Sequence, residues 1–144
     1  MTVLALLTLV LHGAIAGLFY AFSMSVMPGL NAVEPAQAEA VMRSINRKIL
    51  NPWLFLPFMG APVAALITGL LTDGPAATWY FVAAGVNFVG SFLVTVVANV
   101  PMNNALDQGT LPFARYSPRW TAFNTLRTAA CFVSLVSVGI ALTY

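Results

Sequence analysis

Charged side chains are scarce in this sequence: they make up 7% of its 144 residues, whereas hydrophobic residues make up 60%. Ordinary globular domains carry about 25% charged residues, so this chain cannot present a soluble surface. Histidine and cysteine are rarer still, with His12 and Cys131 as the single examples. One cysteine excludes an intrachain disulfide. No two cysteines or histidines have metal-ligand spacing, so we expect no zinc, haem or other cofactor. The few basic residues give no support for a nucleic-acid partner.

The sequence contains instead four long apolar runs, at about 3–26, 52–71, 78–100 and 120–143. Each has about 20 residues or more, which is enough to cross a hydrocarbon core of roughly 30 Å. The segment at about 35–50 is amphipathic and begins with a proline, which indicates a helix on the membrane surface. The predicted fold class is all-α: an integral membrane four-helix up-and-down bundle with an extra interfacial helix between helices 1 and 2. We expect it to form a single transmembrane domain over 1–144.

Basic residues are distributed unequally among the three connections. The first connection contains Arg43, Arg47 and Lys48, and the third contains Arg115 and Arg119. The second, at 72–77, contains an aspartate and no basic residue. The positive-inside rule then places the first and third connections in the cytoplasm. We therefore expect a protein of the bacterial inner (plasma) membrane with both termini on the non-cytoplasmic side.

Prolines and glycines predict local features of these helices. Pro28 with Gly29 and the N-V-P-M-N-N stretch around Pro101 are expected to end the first and third apolar runs, because proline removes a backbone hydrogen bond. Gly13 and Gly17 have the G-x-x-x-G spacing that permits close approach of a neighbouring helix.

Arg127 is the most informative polar residue, because it lies inside the last apolar run. Asn124, Thr128 and Cys131 share its helical face. A charge at membrane depth costs roughly 3 kcal/mol or more on insertion scales, which makes such a residue a candidate for function. The alternative is that Arg127 extends to the head-group level and only anchors the topology.

Asparagines gather at the same predicted depth. Helix 3 carries a line of polar residues, each four residues after the last, and this line ends next to further amides. Its members are Asn87, Ser91, Thr95 and Asn99. Together with helix 4 this predicts a cluster of Asn99, Asn103, Asn104, Asn124 and Arg127. Interhelical hydrogen bonds in membranes average about 0.6 kcal/mol, so a binding site explains the cluster better than packing does. Asn46 lies near the apolar face of the interfacial helix, where it points into the bundle or remains at a solvated rim.

Aromatic residues and one histidine complete the candidate set. Pro57 and Pro62 interrupt helix 2 beside Phe55, Trp53 and Phe58, which are candidates to line an apolar pocket. Trp53 fits equally well in the interfacial aromatic belt. His12 shares a stripe of helix 1 with Ser23, and either it is a hydrogen-bonded bundle residue or it acts as a base.

The motifs N-P-W-L-F (51–55), N-V-P-M-N-N-A-L (99–106) and W-T-A-F-N-T-L-R-T (120–128), with G-L-F-Y-A-F-S-M-S-V-M-P-G-L (17–30), resemble the anthrone-oxygenase-like (DUF1772) family of small four-helix membrane proteins. The most specific parts are N-x-P-x-N and W-x-x-x-N-x-x-R. The resemblance implies oxidation of an anthrone methylene to a quinone by O2, without an obvious metal or flavin.

These expectations combine into one functional hypothesis: a cofactor-independent membrane oxygenase acting on an anthrone-like or other lipophilic, enolisable phenolic substrate. Arg127, Asn124 and His12 are the predicted catalytic residues. The predicted substrate-binding residues are Asn99, Asn103, Asn104, Asn46, Trp120 and Phe55. The expected partners are that substrate, O2 and membrane lipid. The alternative is a non-catalytic module that binds or transports a lipophilic molecule, or a structural subunit of a membrane complex. The sequence leaves open whether the chain forms homo-oligomers.

Overall fold

The computed structural model describes residues 2–144, in which it contains five helices and no strand. The helices are α1 (Thr2–Asn31), α2 (Pro35–Lys48), α3 (Pro52–Leu70), α4 (Pro75–Asp107) and α5 (Phe113–Ala141). All except α2 are long and apolar enough to cross a membrane. The predicted all-α bundle of four spanning helices with one additional helix is therefore confirmed.

Two helices continue where the sequence predicted a break. α1 extends through Pro28 to Asn31, and α4 extends through Pro101 to Asp107. A π-helical turn precedes each proline, at Phe22–Val26 and Thr95–Asn99, and a third lies at Phe88–Leu93. A proline ring collides with the carbonyl four residues earlier, and a wider turn with i→i+5 bonds moves that carbonyl aside. The predicted ends at these prolines were therefore wrong.

The last helix begins earlier than its apolar run. α5 starts at Phe113, although the predicted span began at about residue 120. Hydropathy missed this segment because it contains two arginines. Phe113 and Tyr116 are buried in the bundle, and this packing orders the additional turns.

The spanning helices form a ring in chain order. α1 packs against α3 and α5, and α4 packs against the same two helices. Neighbours in the chain are thus neighbours in space, as in an up-and-down bundle. We call the end that carries α2 and the start of α5 the basic end. The opposite end, with the connection at 71–74 and the C-terminus, is the turn end.

The two ends have different cores. At the turn end the buried residues are mainly small: Ala5, Ala65, Ala83, Ala84 and Ala141, with Val138 and Tyr80. At the basic end they are large: Phe22, Met27, Leu30, Met42, Leu106, Phe113, Tyr116 and Trp120, with the smaller Ala38. Helices lined by small residues approach closely, so the bundle is tighter at the turn end.

Among the glycines, the closest approach to a neighbouring helix is at Gly90 and not at Gly13 or Gly17. A Cβ added at Gly90 would lie 2.3 Å from Ala130 Cβ, so α4 and α5 meet there. One added at Gly17 would meet no described atom within 4 Å, and one at Gly13 would lie 4.0 Å from a flexible leucine side chain. The prediction of close packing at G-x-x-x-G was wrong, because neither glycine faces a neighbouring backbone.

Candidate functional site

A cavity of about 440 Å³ occupies the basic half of the bundle. All five helices contribute to it. Its apolar wall is formed by Leu18, Phe19, Phe22, Leu54, Phe55, Phe58, Met59, Phe92, Val96 and Val100. Its polar groups are Thr95, Arg127, Asn46, Asn103, Asn104, Arg43, Arg47 and Asp107. Size, apolar walls and few polar groups are typical of a small-molecule site.

Arg127 lies at the inner end of the cavity, 4% exposed. Its Nη1 donates to Thr95 Oγ1 at 2.9 Å, and its Nη2 donates to Asn124 Oδ1 at 2.8 Å. These bonds use two of the five N–H groups of a guanidinium. The Nε–H is buried without a partner among the described residues. The guanidinium is therefore held in place from two helices and retains donors for a ligand.

No carboxylate among residues 2–144 pairs with this cation. The ion pairs in that range join Arg43 to Glu39 and Arg47 to Asp107. Two aromatic rings partly compensate, because the guanidinium carbon lies 4.2 Å from the centre of the Phe19 ring and 5.2 Å from that of Trp120. Such desolvated contacts contribute about 2 kcal/mol, but they do not neutralise the charge.

Asn124 positions the arginine from outside the cavity. Besides accepting from Arg127, it donates to the Phe19 carbonyl at 2.8 Å and to Ser23 Oγ at 2.7 Å. Ser23 lies in the π-helical turn of α1, and Thr95 lies in the second π-helical turn of α4, Thr95–Asn99. π-turns occur frequently at functional sites. Here one π-turn presents Ser23 to Asn124, and another presents Thr95 to Arg127. Asn124 and Arg127 are thus both buried on the face that they share, and Arg127 lines the cavity while Asn124 holds its guanidinium from behind.

The outer end of the cavity is polar and partly closed. The Tyr116 hydroxyl donates to Asn103 Oδ1 at 2.7 Å and receives a weak bond from Asn46 Nδ2 at 3.5 Å. Arg47 Nη1 lies 2.9 Å from Asp107 Oδ1, which ties α2 to the end of α4. Asn46 therefore points into the bundle, as one of its two alternatives proposed.

The structure brings most of the predicted site residues together. Arg127, Asn103, Asn104, Asn46, Trp120 and Phe55 all line the cavity. Asn99 and Asn124 are buried beside it, and Asn99 Nδ2 donates to the Trp120 carbonyl at 3.4 Å. Of the aromatic candidates on α3, Phe58 lines the cavity, whereas Trp53 is 84% exposed.

His12 is the candidate that the fold keeps apart. It is fully buried, its Nδ1 is 2.8 Å from the Thr8 carbonyl, and it does not line the cavity. The first cavity residue along α1 is Leu18, about 9 Å farther along the helix axis. The geometry therefore gives no basis for placing His12 at the reacting atoms.

Several lining residues were not predicted as site residues. Phe19 and Thr95 contact Arg127, and Asp107 lies at the outer end. Thr95 had a sequence signal, since it belongs to the four-residue polar line of helix 3. The π-turns keep that line on the inner face, because residues four apart align better when turns widen. Phe19 belongs to the same stripe of helix 1 as His12 and Ser23, but its apolar ring gave no reason to place it beside a cation.

Titratable residues are too dispersed to form a conventional metal centre. Among residues 2–144, no group of three His, Cys, Asp or Glu side chains is arranged to hold an ion. Cys131 is buried, and its thiol receives a long contact of 3.8 Å from Asn87 Nδ2. The polar groups of the cavity are thus mainly amides, hydroxyls and guanidinium groups, which bind through hydrogen bonds and charge.

The fold and the cavity define a class of protein: an all-helical membrane bundle with an internal, largely apolar cavity that ends at a buried arginine. The anthrone oxygenase family profile matches residues 50–137, and the chain belongs to that family. The matched region contains Asn103, Trp120, Asn124 and Arg127, whereas Phe19 and Asn46 precede it. Comparisons with curated proteins and with solved structures give no match.

Proposed function

We propose that this protein is a cofactor-independent membrane oxygenase for an enolisable, lipophilic phenolic substrate of the anthrone type. The observation that carries the proposal is the Arg127 guanidinium, which is buried at the inner end of an apolar cavity and has no carboxylate partner within the described range 2–144. A charge in such a place is costly unless an anion or strong acceptor completes it. Membership of the anthrone oxygenase family supports the reaction class.

The cavity suits a flat aromatic molecule with one oxygen at its inner end. Phe22, Phe55 and Phe58 provide aromatic surface along the wall. Arg127 provides unused N–H donors where an enolate oxygen would be bound. Donors that are already fixed in position stabilise developing charge most effectively, and here Asn124 and Thr95 fix them. Arg127 thus favours ionisation of the substrate at its methylene carbon.

The reaction needs no redox group from the protein. Loss of a methylene proton gives an enolate, whose carbon transfers electrons to O2 and forms a C–O bond. Protonation gives a hydroperoxide. Loss of the remaining proton on that carbon breaks the O–O bond, leaving a carbonyl and water, so one methylene and one O2 give one carbonyl and one H2O. The first proton leaves toward water at the basic end, where Asp107 lines the cavity.

Oxygen uptake with dithranol tests this function directly. Purified protein in phosphatidylcholine vesicles should consume O2 and form the corresponding quinone in a one-to-one ratio, above the spontaneous oxidation measured in empty vesicles. Arg127→Met should return the rate to that background, because it removes the group that stabilises the enolate. Equal rates for wild type and Arg127→Met would contradict the proposal.

Binding without turnover would favour the second candidate, a module that binds or transports a lipophilic molecule. One observation supports this candidate: Asp107 at the basic end and Val96, which is exposed on the bundle surface, line the same cavity, as residues of a passage between water and lipid would. Its signature is saturable quenching of Trp120, which lines the cavity, by dithranol without O2 consumption.

The orientation is part of the proposal. We place the protein in the bacterial inner membrane with the basic end in the cytoplasm, since Arg43, Arg47 and Lys48 lie there. A membrane-impermeant thiol reagent should label Asp73→Cys from outside the cell and Lys48→Cys only after lysis. Background is low because Cys131 is buried. The reverse pattern would invert the orientation.

A further inference from the structure

We infer that the substrate reaches the cavity from the bilayer, through a lateral opening between α3 and α4, and not from water at the basic end. The inference rests on the proposed function in one respect, namely that this cavity is where the substrate binds. It narrows the substrate class to molecules that dissolve in hydrocarbon and enter without a hydrated head group.

The opening follows from how α3 and α4 separate. Toward the turn end they pack closely: a Cβ added at Gly69 would lie 2.9 Å from the Phe81 ring. Beyond the first π-turn of α4 they diverge, and from Thr95 onward α4 makes almost no contact with α3. The Phe58 and Phe92 rings, 5.7 Å apart, bridge the two helices where they begin to separate. A wedge-shaped gap remains toward the basic end.

Residues on both edges of the gap face inside and outside at once. Phe55 and Met59 on α3, and Val96 and Val100 on α4, line the cavity and are also exposed on the bundle surface. Phe55 is 46% and Val96 is 50% exposed. A side chain can do both only at an opening. We call these four residues the lateral opening.

Chemistry favours this route over the aqueous one. The lateral opening is entirely apolar, so a lipophilic molecule can pass from the hydrocarbon without crossing a polar barrier. At the basic end the cavity is lined by the polar side chains of Asn103, Arg47 and Asp107, and the two charged ones pair with each other and remain exposed. O2 also dissolves better in hydrocarbon than in water, so both reactants of the proposed reaction are enriched on the same side.

Fluorescence of Trp120 can test the route without any catalysis. The chain has three tryptophans, so Trp53→Phe with Trp79→Phe leaves Trp120, which lines the cavity beside Arg127, as the single fluorophore. The protein in phosphatidylcholine vesicles is titrated with 1-bromodecane, a quencher dissolved in the bilayer, and separately with acrylamide in the water. We expect strong quenching by 1-bromodecane and weak quenching by acrylamide.

Variants at the opening provide matched controls. Val96→Phe should lower the 1-bromodecane quenching constant roughly three-fold, because a phenyl ring fills space that must be open for passage. Val97→Phe, one residue along and 74% exposed, adds the same ring outside the cavity and should change nothing. Phe55→Ala widens the opening and should increase quenching, which keeps the test valid if Val96→Phe fails to fold.

The outcomes separate the route from the function. Equal quenching in Val96→Phe and Val97→Phe, or stronger quenching by acrylamide than by 1-bromodecane, would overturn the lateral route. If the quenching results support the lateral route but the wild type does not oxidise dithranol, the oxygenase function is refuted and the lateral route stands. If the wild type oxidises dithranol but Val96→Phe does not change quenching, the lateral route is refuted and the oxygenase function stands.

Discussion

The basic and turn ends of this bundle are built from the same four helices, yet they use opposite packing solutions. At the turn end, alanines bring the helices together, and buried hydroxyls satisfy one another, as Thr8 and Thr68 do at 3.0 Å. At the basic end, aromatic residues hold the helices apart, and the polar groups surround a cavity. The difference shows that residue size, more than hydropathy, divides a uniformly apolar chain into a closely packed half and a half that encloses a cavity.

The π-turns lie in the half of the bundle that encloses the cavity. They occur at Phe22–Val26, Phe88–Leu93 and Thr95–Asn99, whereas the first stretch of α4, Pro75–Asn87, is regular α-helix. Widened turns leave backbone bonds less well satisfied and rotate the following side chains. Here they orient Ser23 toward Asn124 and Thr95 toward Arg127. The irregular helix geometry therefore positions the arginine.

The largest effect is expected from a substitution of Arg127 at the inner end of the cavity. Arg127→Lys keeps the charge but loses the planar set of donors that Asn124 and Thr95 hold in place. We expect binding or turnover of dithranol to fall by on the order of 1 to 3 kcal/mol, roughly ten-fold to a hundred-fold. The measurement is a dithranol titration by Trp120 quenching together with O2 uptake. Arg119→Lys, an exposed arginine of the same helix, is the matched control and should be silent.

A double-mutant cycle sharpens the same point. Asn124→Ala should lose function together with Arg127→Lys in a non-additive way, because Asn124 acts through the guanidinium that it holds at 2.8 Å. Additive losses would mean that the two residues act separately. If Arg127→Lys were as active and as thermally stable as the wild type, Arg127 would be a topology anchor and the proposed site would lose its main residue.

A second, smaller effect concerns the packing between the two ends. Gly90→Ala places a Cβ 2.3 Å from Ala130 Cβ, and since the obstacle is on a helix backbone, α4 and α5 must separate. We expect a loss of about 1 to 2 kcal/mol in the free energy of unfolding, as for other overpacked sites. Gly85→Ala meets no described atom within 4 Å and should be neutral or slightly stabilising. Thermal unfolding in detergent compares the midpoints of Gly90→Ala and Gly85→Ala. Equal midpoints would show that α4 and α5 do not approach closely at Gly90.

Much of this arrangement could be predicted from the sequence, and the misses have physical causes. Apolar run length gave the four spans, and the i, i+3 spacing gave the shared buried face of Asn124 and Arg127. The continuation of the helices through Pro28 and Pro101 was missed because a π-turn can precede a proline without a residue signature. The cavity wall from α1 was missed because Phe19 reaches Arg127 only through helix order in space. Gly90 was missed because a lone glycine has no spacing pattern.

The smallest expected effect tests the histidine that periodicity proposed as a base. His12 contacts the Thr8 carbonyl and lies about 9 Å along the helix axis from the first cavity residue of its helix, so we assign it a structural role outside the cavity. His12→Gln keeps a buried hydrogen-bonding side chain there and should change dithranol turnover less than about two-fold, with at most about 1 kcal/mol of stability at stake. A general base contributes about a hundred-fold or more to the reaction rate. A loss of turnover of that size in a normally folded His12→Gln variant would show that His12 is a catalytic base. Because Arg127→Lys and His12→Gln are measured in the same assay, the pair of results locates the chemistry at one end of the bundle.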